Sequence, residues 1–314
     1  MNDLASPAAP APAVSVSHLA HPRYWLSWFG MGLLRLIAAL PLPIAVRLGE
    51  WLGAALYPVI ARRRRIVLTN LKLCFPELNE RRRRALARAN FRYTGRGMVE
   101  VALGWWAPDK ALAGRCRVNG LEHLERARAE GRGVLLLCGH FTCLEMAGRF
   151  LSQHLAFDAV YRPHENPVVE HLTQRWRSRR AGGAIPRHDV RGLVRQLKAG
   201  RVVFYLPDQD YGAKHSVFAP FFGIPAATVA AVPRLARMGD AAVLPLLYSV
   251  AADGRYELTF GAPFENFPSD DPVADAGRIN QVFEQAIRRV PAQYLWAHRR
   301  FKTRPPGEPS LYTN

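Results

Sequence analysis

The chain has 314 residues, 49% of them hydrophobic, and a formal net charge of +18 from 43 Lys and Arg against 25 Asp and Glu. That apolar content excludes a disordered chain, and the length suits two domains or one large α/β domain with an appendage. The charge calls for an anionic partner (nucleic acid, acidic protein or membrane), and the four cysteines, Cys74, Cys116, Cys138 and Cys143, are too few to staple a chain of this size, which places it inside the cell or facing the cytoplasm.

Residues 1–20 are rich in Ala, Pro and Ser and read as a disordered tail. A basic stretch directly before an apolar run, as in a secretory signal, is missing. From Tyr24 to Ile60 the chain is strongly apolar, interrupted by Arg35, Pro41, Pro43, Arg47 and Glu50. No run reaches the ~18 residues of a clean transmembrane helix. Three arrangements fit: a buried soluble hairpin, a monotopic hairpin in one leaflet, or one spanning helix around 24–40 with Arg35 snorkelling. Tyr24, Trp25 and Trp28 suit an interfacial belt. Residues 61–100 then carry twelve basic and three acidic side chains, with tetrads at Arg62–Arg65 and Arg81–Arg84. Such a cluster can be a solvated helix face. Directly after an apolar segment it favours membrane attachment on the cytoplasmic side.

Beyond it, helical spacing is predicted over Asn79–Met98, Leu121–Glu130, Thr142–Leu155, Val168–Arg180, Val190–Ala199, Thr228–Met238 and Asp275–Arg289. Short apolar runs at Val134–Cys138, Phe157–Tyr161, Val202–Leu206, Ala242–Tyr248 and Tyr256–Phe260 read as strands. The alternation predicts an α/β fold, a parallel or mixed central sheet flanked by helices. Sites in such folds lie beyond the carboxyl ends of the strands. Two polar clusters fall there, Gly139–Glu145 (GHFTCLE) and Leu206–Gly212 (LPDQDYG).

In the first, His140 can take a proton from a hydroxyl if a carboxylate fixes its tautomer, and Glu145 is one turn away. Thr142-x-x-Glu145 is equally a capping box. Cys138, His140 and Cys143 could ligate a metal, but no second pair with zinc spacing exists. In the second, Asp208 and Asp210 could hold a divalent ion or merely end the strand in an Asx-type turn. Arg175, Arg177, Arg179 and Arg180 could grip phosphate or form a solvated face. The G-x-S-x-G elbow, the Walker A loop and the dinucleotide-binding fingerprint are missing, and no nucleic-acid motif is present.

These segments, in order with Asn70–Leu78 (NLKLCFPEL), Val160–Pro167 (VYRPHENP), Arg175–Ser178 (RWRS), Val217–Gly223 (VFAPFFG), Ala226–Thr228 and Tyr294–Lys302 (YLWAHRRFK), resemble the bacterial lipid A biosynthesis acyltransferases, the late lauroyl and myristoyl transferases. The stretch after Thr228 departs from the family's Thr- and Gly-richer pattern. The resemblance implies a glycerolipid-acyltransferase-like fold with an N-terminal apolar helical membrane anchor, and four segments: tail 1–20, anchor 21–61, acyltransferase domain 62–304 and C-terminal tail 305–314. It implies an acyltransferase with His140 and Glu145 as the H-x-x-x-x-E catalytic pair. Arg162, Arg177, Asp208 and Asp210 are expected to bind substrate or organise the site, with no metal and no cofactor. The implied partners are acyl carrier protein as thioester donor, with acyl coenzyme A as the other candidate, a phosphorylated Kdo-bearing glycolipid acceptor, and the cytoplasmic face of the inner membrane. No nucleic acid is implied. The rivals are a sister enzyme acting on another glycolipid or an amino-acid lipid, and a basic surface-binding protein without catalysis.

Overall fold

The structure, a computed structural model, describes residues 16–180 and 182–312. The N-terminal part is helical: α1 (Val16–Leu19), α2 (Trp25–Ile37), α3 (Leu42–Val59), α4 (Ala61–Cys74), α5 (Glu80–Trp106) and the short α6 (Asp109–Leu112). Then follow β1 (Cys116–Asn119), α7 (Leu121–Ala129), β2 (Gly133–Leu137), α8 (Leu144–Leu151), β3 (Asp158–Tyr161), α9 (Pro167–Arg180), β4 (Gly183–Pro186), α10 (Val190–Lys198) and β5 (Val202–Tyr205). A hairpin of β6 (Ser216–Phe221) and β7 (Ile224–Val229) leads into α11 (Ala231–Gly239), β8 (Ala241–Val250), β9 (Tyr256–Phe260) and α12 (Pro272–Arg289).

The main sheet has seven strands in the order β1-β9-β8-β2-β5-β3-β4. Strands β8, β2, β5, β3 and β4 are mutually parallel, and β9 turns back antiparallel to β8. The α/β class with a mixed sheet flanked by helices is therefore as expected. β2 is buried at every position, which explains its unbroken run of Val and Leu.

Helix α5 starts at Asn79, whose side chain accepts the Arg82 N–H at 2.9 Å. It runs eight residues past the expected Met98 and is the spine of the molecule. Helix α3 lies on it through Gly49 and Gly53, and a Cβ on Gly95 would sit 2.2 Å from the Gly49 carbonyl oxygen. Two residues on, a Cβ on Gly97 would sit 2.4 Å from the Thr142 carbonyl oxygen, inside the GHFTCLE segment.

The apolar N-terminal helices keep an uncovered face. Leu26, Phe29 and Trp51 are 82%, 72% and 81% exposed, and Leu33, Leu36 and Leu48 belong to the same surface. This excludes the buried hairpin. Helix α2 has 13 residues, about 20 Å at ~1.5 Å each, short of the ~30 Å hydrocarbon core. Among the described residues no single helix is long and apolar enough to cross a membrane. Only α3 and α4 together pass that test, and they are bent by 95°. Arg35 does not snorkel: it donates to the Trp106 carbonyl and lies 5.7 Å over that ring.

The tail falls outside the described residues as far as residue 15, but α1 lies within its last five residues and Leu19 is buried. At the other end Tyr312 is buried, its hydroxyl donating to Asn70 Oδ1 at 2.5 Å.

The close α3–α5 approach yields a prediction. Gly95→Val should force the two helices apart and destabilise the protein by about 1–3 kcal/mol or more. Gly30→Ala, where nothing lies within 4 Å, should be neutral or mildly stabilising. Thermal unfolding in detergent reads both, and equal melting temperatures for the two variants would refute the close-packing account.

Candidate active site

His140 leaves the carboxyl end of β2, and Asp208 leaves the carboxyl end of the adjacent β5. The His140 backbone N–H donates to Asp208 Oδ2 at 2.7 Å, and its Nδ1 lies 2.5 Å from Oδ1. The Tyr294 hydroxyl donates to Oδ2 at 3.0 Å. Burial opposes ionisation of Asp208, yet the His140 charge and these hydrogen bonds outweigh it and hold its carboxyl below the ordinary value. Burial first, and then Asp208, push the Tyr294 phenol well up, so it stays a donor. An ionised carboxylate can only accept, so Nδ1 carries a proton, and in the neutral imidazole the lone pair is on Nε2. The imidazole remains partly exposed. The ring is thus held by Asp208 at Nδ1 and open on its other side.

The support for this pair comes from elsewhere in the chain. Asn90 on α5 donates to the Ala292 and Tyr294 carbonyls at 2.8 and 2.7 Å. Asn70 on α4 donates to those of Trp296 and His298 at 2.7 and 2.8 Å. The loop carrying Tyr294 is thereby fastened to two helices. His140 and Leu295 are linked through the His140 carbonyl at 2.9 Å.

Glu145 does not take the part expected of it. The tautomer-fixing carboxylate is Asp208, 68 residues away in sequence. Glu145 stands in the first turn of α8 and accepts the Trp105 indole N–H at 3.3 Å. The capping box is not formed either. The cap residue is Cys143, without a side-chain bond, and the Thr142 N–H donates to the Gln293 carbonyl.

The other expected residues disperse. Asp210 accepts from the Gly212 N–H at 2.9 Å, the Asx-type turn, and from the backbone and hydroxyl of Thr303 at 2.8 and 2.9 Å. It anchors the C-terminal segment rather than facing an ion. Arg162 follows β3 and pairs with Glu165 at 2.6 Å in solvent. Arg177 lies on α9, but its side chain is outside the described residues. Burial pushes the Cys138 and Cys143 thiols well up. No group of three or more metal-ligating side chains occurs among the described residues. Tyr294, Asn90, Asn70 and Trp105 are supporting residues that sequence reasoning missed. Only YLWAHRRFK and NLKLCFPEL signalled two of their segments.

Residues 15–303 match the family model described as bacterial lipid A biosynthesis acyltransferase. The chain is 42% identical to the lipid A biosynthesis lauroyltransferase of Escherichia coli over 296 residues, 94% of this chain and 97% of that protein. It is also 42% identical to that organism's palmitoleoyltransferase, covering 93% and 96%, and 32% identical to its myristoyltransferase, covering 93% and 91%. Among solved structures, a 1-acyl-sn-glycerophosphate acyltransferase from Thermotoga maritima aligns with a TM-score of 0.37 and 16% identity, over 79% of this chain and 96% of that one.

His298, in the fastened loop, supplies a pH test. Its Nε2 accepts the Asp210 N–H at 3.1 Å, and burial pushes its pKa down to about 4 against the opposing charge of Asp208. The unfolded chain takes up this proton near its ordinary value of ~6.5, the folded chain only near 4. Stability should therefore fall as pH is lowered through that window. His298→Gln keeps an acceptor without the titration, so its melting temperature should fall less steeply from pH 6.5 to 4. Parallel profiles would refute the assignment.

Proposed function

Because the chain belongs to the bacterial lipid A biosynthesis acyltransferase family, we propose that it moves a fatty acyl group from acyl carrier protein to a hydroxyl of a 3-hydroxyacyl chain on a Kdo-bearing, phosphorylated glucosamine disaccharide. Membership makes it an acyltransferase of lipid A biosynthesis. The donor and the exact acceptor are the proposal. The observation that carries the chemistry is His140, tautomer fixed by Asp208 and Nε2 free, at the carboxyl edge of the sheet.

The reaction follows from that geometry. Nε2 takes the acceptor hydroxyl proton as the oxygen attacks the thioester carbonyl. Asp208 stabilises the imidazolium that forms. The carbonyl re-forms as the C–S bond breaks, and the leaving thiolate takes the proton back from Nε2. The products are an ester and a thiol, with His140 restored. Glu145, five residues after His140 in sequence, accepts the Trp105 indole N–H and, among the described residues, makes no bond to the imidazole, so orienting His140 is left to Asp208 in this scheme.

Attachment fits a monotopic enzyme at the cytoplasmic face of the inner membrane. The exposed apolar surface of α2 and α3 enters one leaflet, while the basic residues at the start of α4 and α5 meet anionic headgroups. Two of the tetrad serve the fold as well: Arg63 donates to the Ala297 carbonyl at 3.1 Å, and Arg64 caps the end of α3 at the Tyr57 and Pro58 carbonyls. Segment 62–304 is the proposed catalytic domain, although α5 binds it to the anchor without a linker.

Asp208→Asn should lower the rate by about 10²–10⁴-fold with KM little changed, as for a base with the wrong tautomer. Glu145→Gln should cost less, and an order of severity reversed between the two would return the orienting role to Glu145. The assay is transfer from acyl carrier protein to the glycolipid, with mass spectrometry of lipid A from a deletion strain. An unchanged lipid A would refute the proposed acceptor. In fractionation, replacing Leu26, Phe29, Leu33 and Trp51 together by Ser should release the protein from membranes. High salt alone should not, since apolar burial is not screened.

A further inference from the structure

Arg187 and Tyr211 lie along the same sheet edge as His140, and neither takes part in the proton transfer. The carboxyl ends of β2, β5, β3 and β4 stand side by side in that order. They are followed by His140, by Asp208 and Tyr211, by Arg162, and by Arg187 respectively. The Arg187 backbone N–H donates to the Tyr161 carbonyl at 2.8 Å, which extends the β3–β4 ladder by one step and fixes its position. Its guanidinium lies 5.8 Å from the centre of the Tyr211 ring. Tyr211 is 40% exposed, and the Asp208 charge acts on it, so the pair borders the site. Arg187 is exposed and pairs with no carboxylate among the described residues.

An arginine steadied on an aromatic face, open to solvent and without a counter-ion, is built to receive a planar or tetrahedral anion through two N–H donors. Resting on the acyl-transfer reading above, we infer that Arg187 and Tyr211 form a phosphate-binding site for a phosphate carried by a substrate. Two substrates bring one: the pantetheine arm of the donor and the sugar of the acceptor. Reach favours the arm. From β2 to β4 there are three strand spacings, about 14 Å at ~4.8 Å each. An extended arm has about thirteen bonds between its thioester sulfur and its phosphorus, about 15 Å at ~3.4 Å per three backbone bonds. With its phosphate on Arg187, the arm can lay its thioester beside His140.

The test uses the full-length enzyme in detergent. Arg187→Gln should raise KM for acyl-acyl carrier protein about tenfold, as loss of a charge-assisted pair would. The kcat should fall much less and the melting temperature should hold. With an acyl-pantetheine donor that lacks the phosphate, Arg187→Gln and the unaltered enzyme should show equal KM. If the penalty instead persists there and vanishes with a dephosphorylated acceptor, the phosphate site stands and its source is the sugar. A penalty that survives both omissions, or no penalty at all, overturns it. Calorimetric titration with 4′-phosphopantetheine against pantetheine reads the site without turnover. The unaltered protein should bind the phosphorylated arm more tightly, and Arg187→Gln should erase the difference. Equal binding of the two arms by the unaltered protein, with a KM penalty confined to neither substrate's phosphate, refutes the site. Selective phosphate binding with no acyl transfer by any enzyme would refute the function and leave the site intact.

Discussion

The contact on which the rest of the molecule depends is the backbone-to-backbone approach of α5 to its neighbours at glycines. Gly95 admits α3 at Gly49 and Gly53, and Gly97 admits the Thr142 carbonyl from the turn that follows β2. Any side chain at these points would fall within 2.2–2.4 Å of a backbone oxygen. Packed interiors do not absorb such an intrusion without moving an element. One helix of 27 residues thus fixes the apolar hairpin on one side and the turn that carries His140 on the other. The same helix contributes Asn90 to the loop that holds Tyr294, and the Gly104 carbonyl to the Trp176 indole of α9 at 2.8 Å.

The buried carboxylate of Asp208 is the second constraint, and an expensive one. An ion without partners in that position would be strongly disfavoured. Here it accepts from a backbone N–H, an imidazole and a phenol. The phenol in turn depends on a loop pinned by two buried asparagines. A buried polar network of this kind is worth having only when every member is satisfied. Its completeness explains why NLKLCFPEL and YLWAHRRFK, neither of which supplies a reacting group in our scheme, belong to the same structural unit as GHFTCLE and LPDQDYG.

Much of this was legible in the residues. Buried parallel strands announce themselves as short apolar runs after glycines, and both site clusters lie at strand ends as the fold class requires. Three things were not legible. The partner of His140 is close in space and distant in sequence, whereas Glu145 is close in sequence, and spacing alone cannot rank the two. Strands β1 and β4 have four residues each, with Ile185 their one buried position, too short for a period to show. The run from Ile224 reads as helix from Thr228 because Ala and Val suit either state. In the structure Thr228 lies inside β7, and its hydroxyl accepts from Asn280 and Arg300 at 3.0 and 3.1 Å. The hairpin before it turns at Phe222 and Gly223, both with positive φ, and only the glycine is a turn signal.

The position of Glu145 ties the apolar hairpin to the segment that carries His140. Arg35 on α2 rests on the Trp106 ring, Trp106 meets Trp105 edge to face at 5.6 Å, and the Trp105 indole holds Glu145. Ser27 on the same helix receives the Asn166 amide at the start of α9 at 2.8 Å. Helix α2 is thus no detachable leash. Its outward face is apolar, and its inward face supports both the end of α5 and the entry to α9. A packed route therefore runs from α2 through two tryptophans to Glu145 on α8, so the apolar outward face and the turn that carries His140 share one set of contacts.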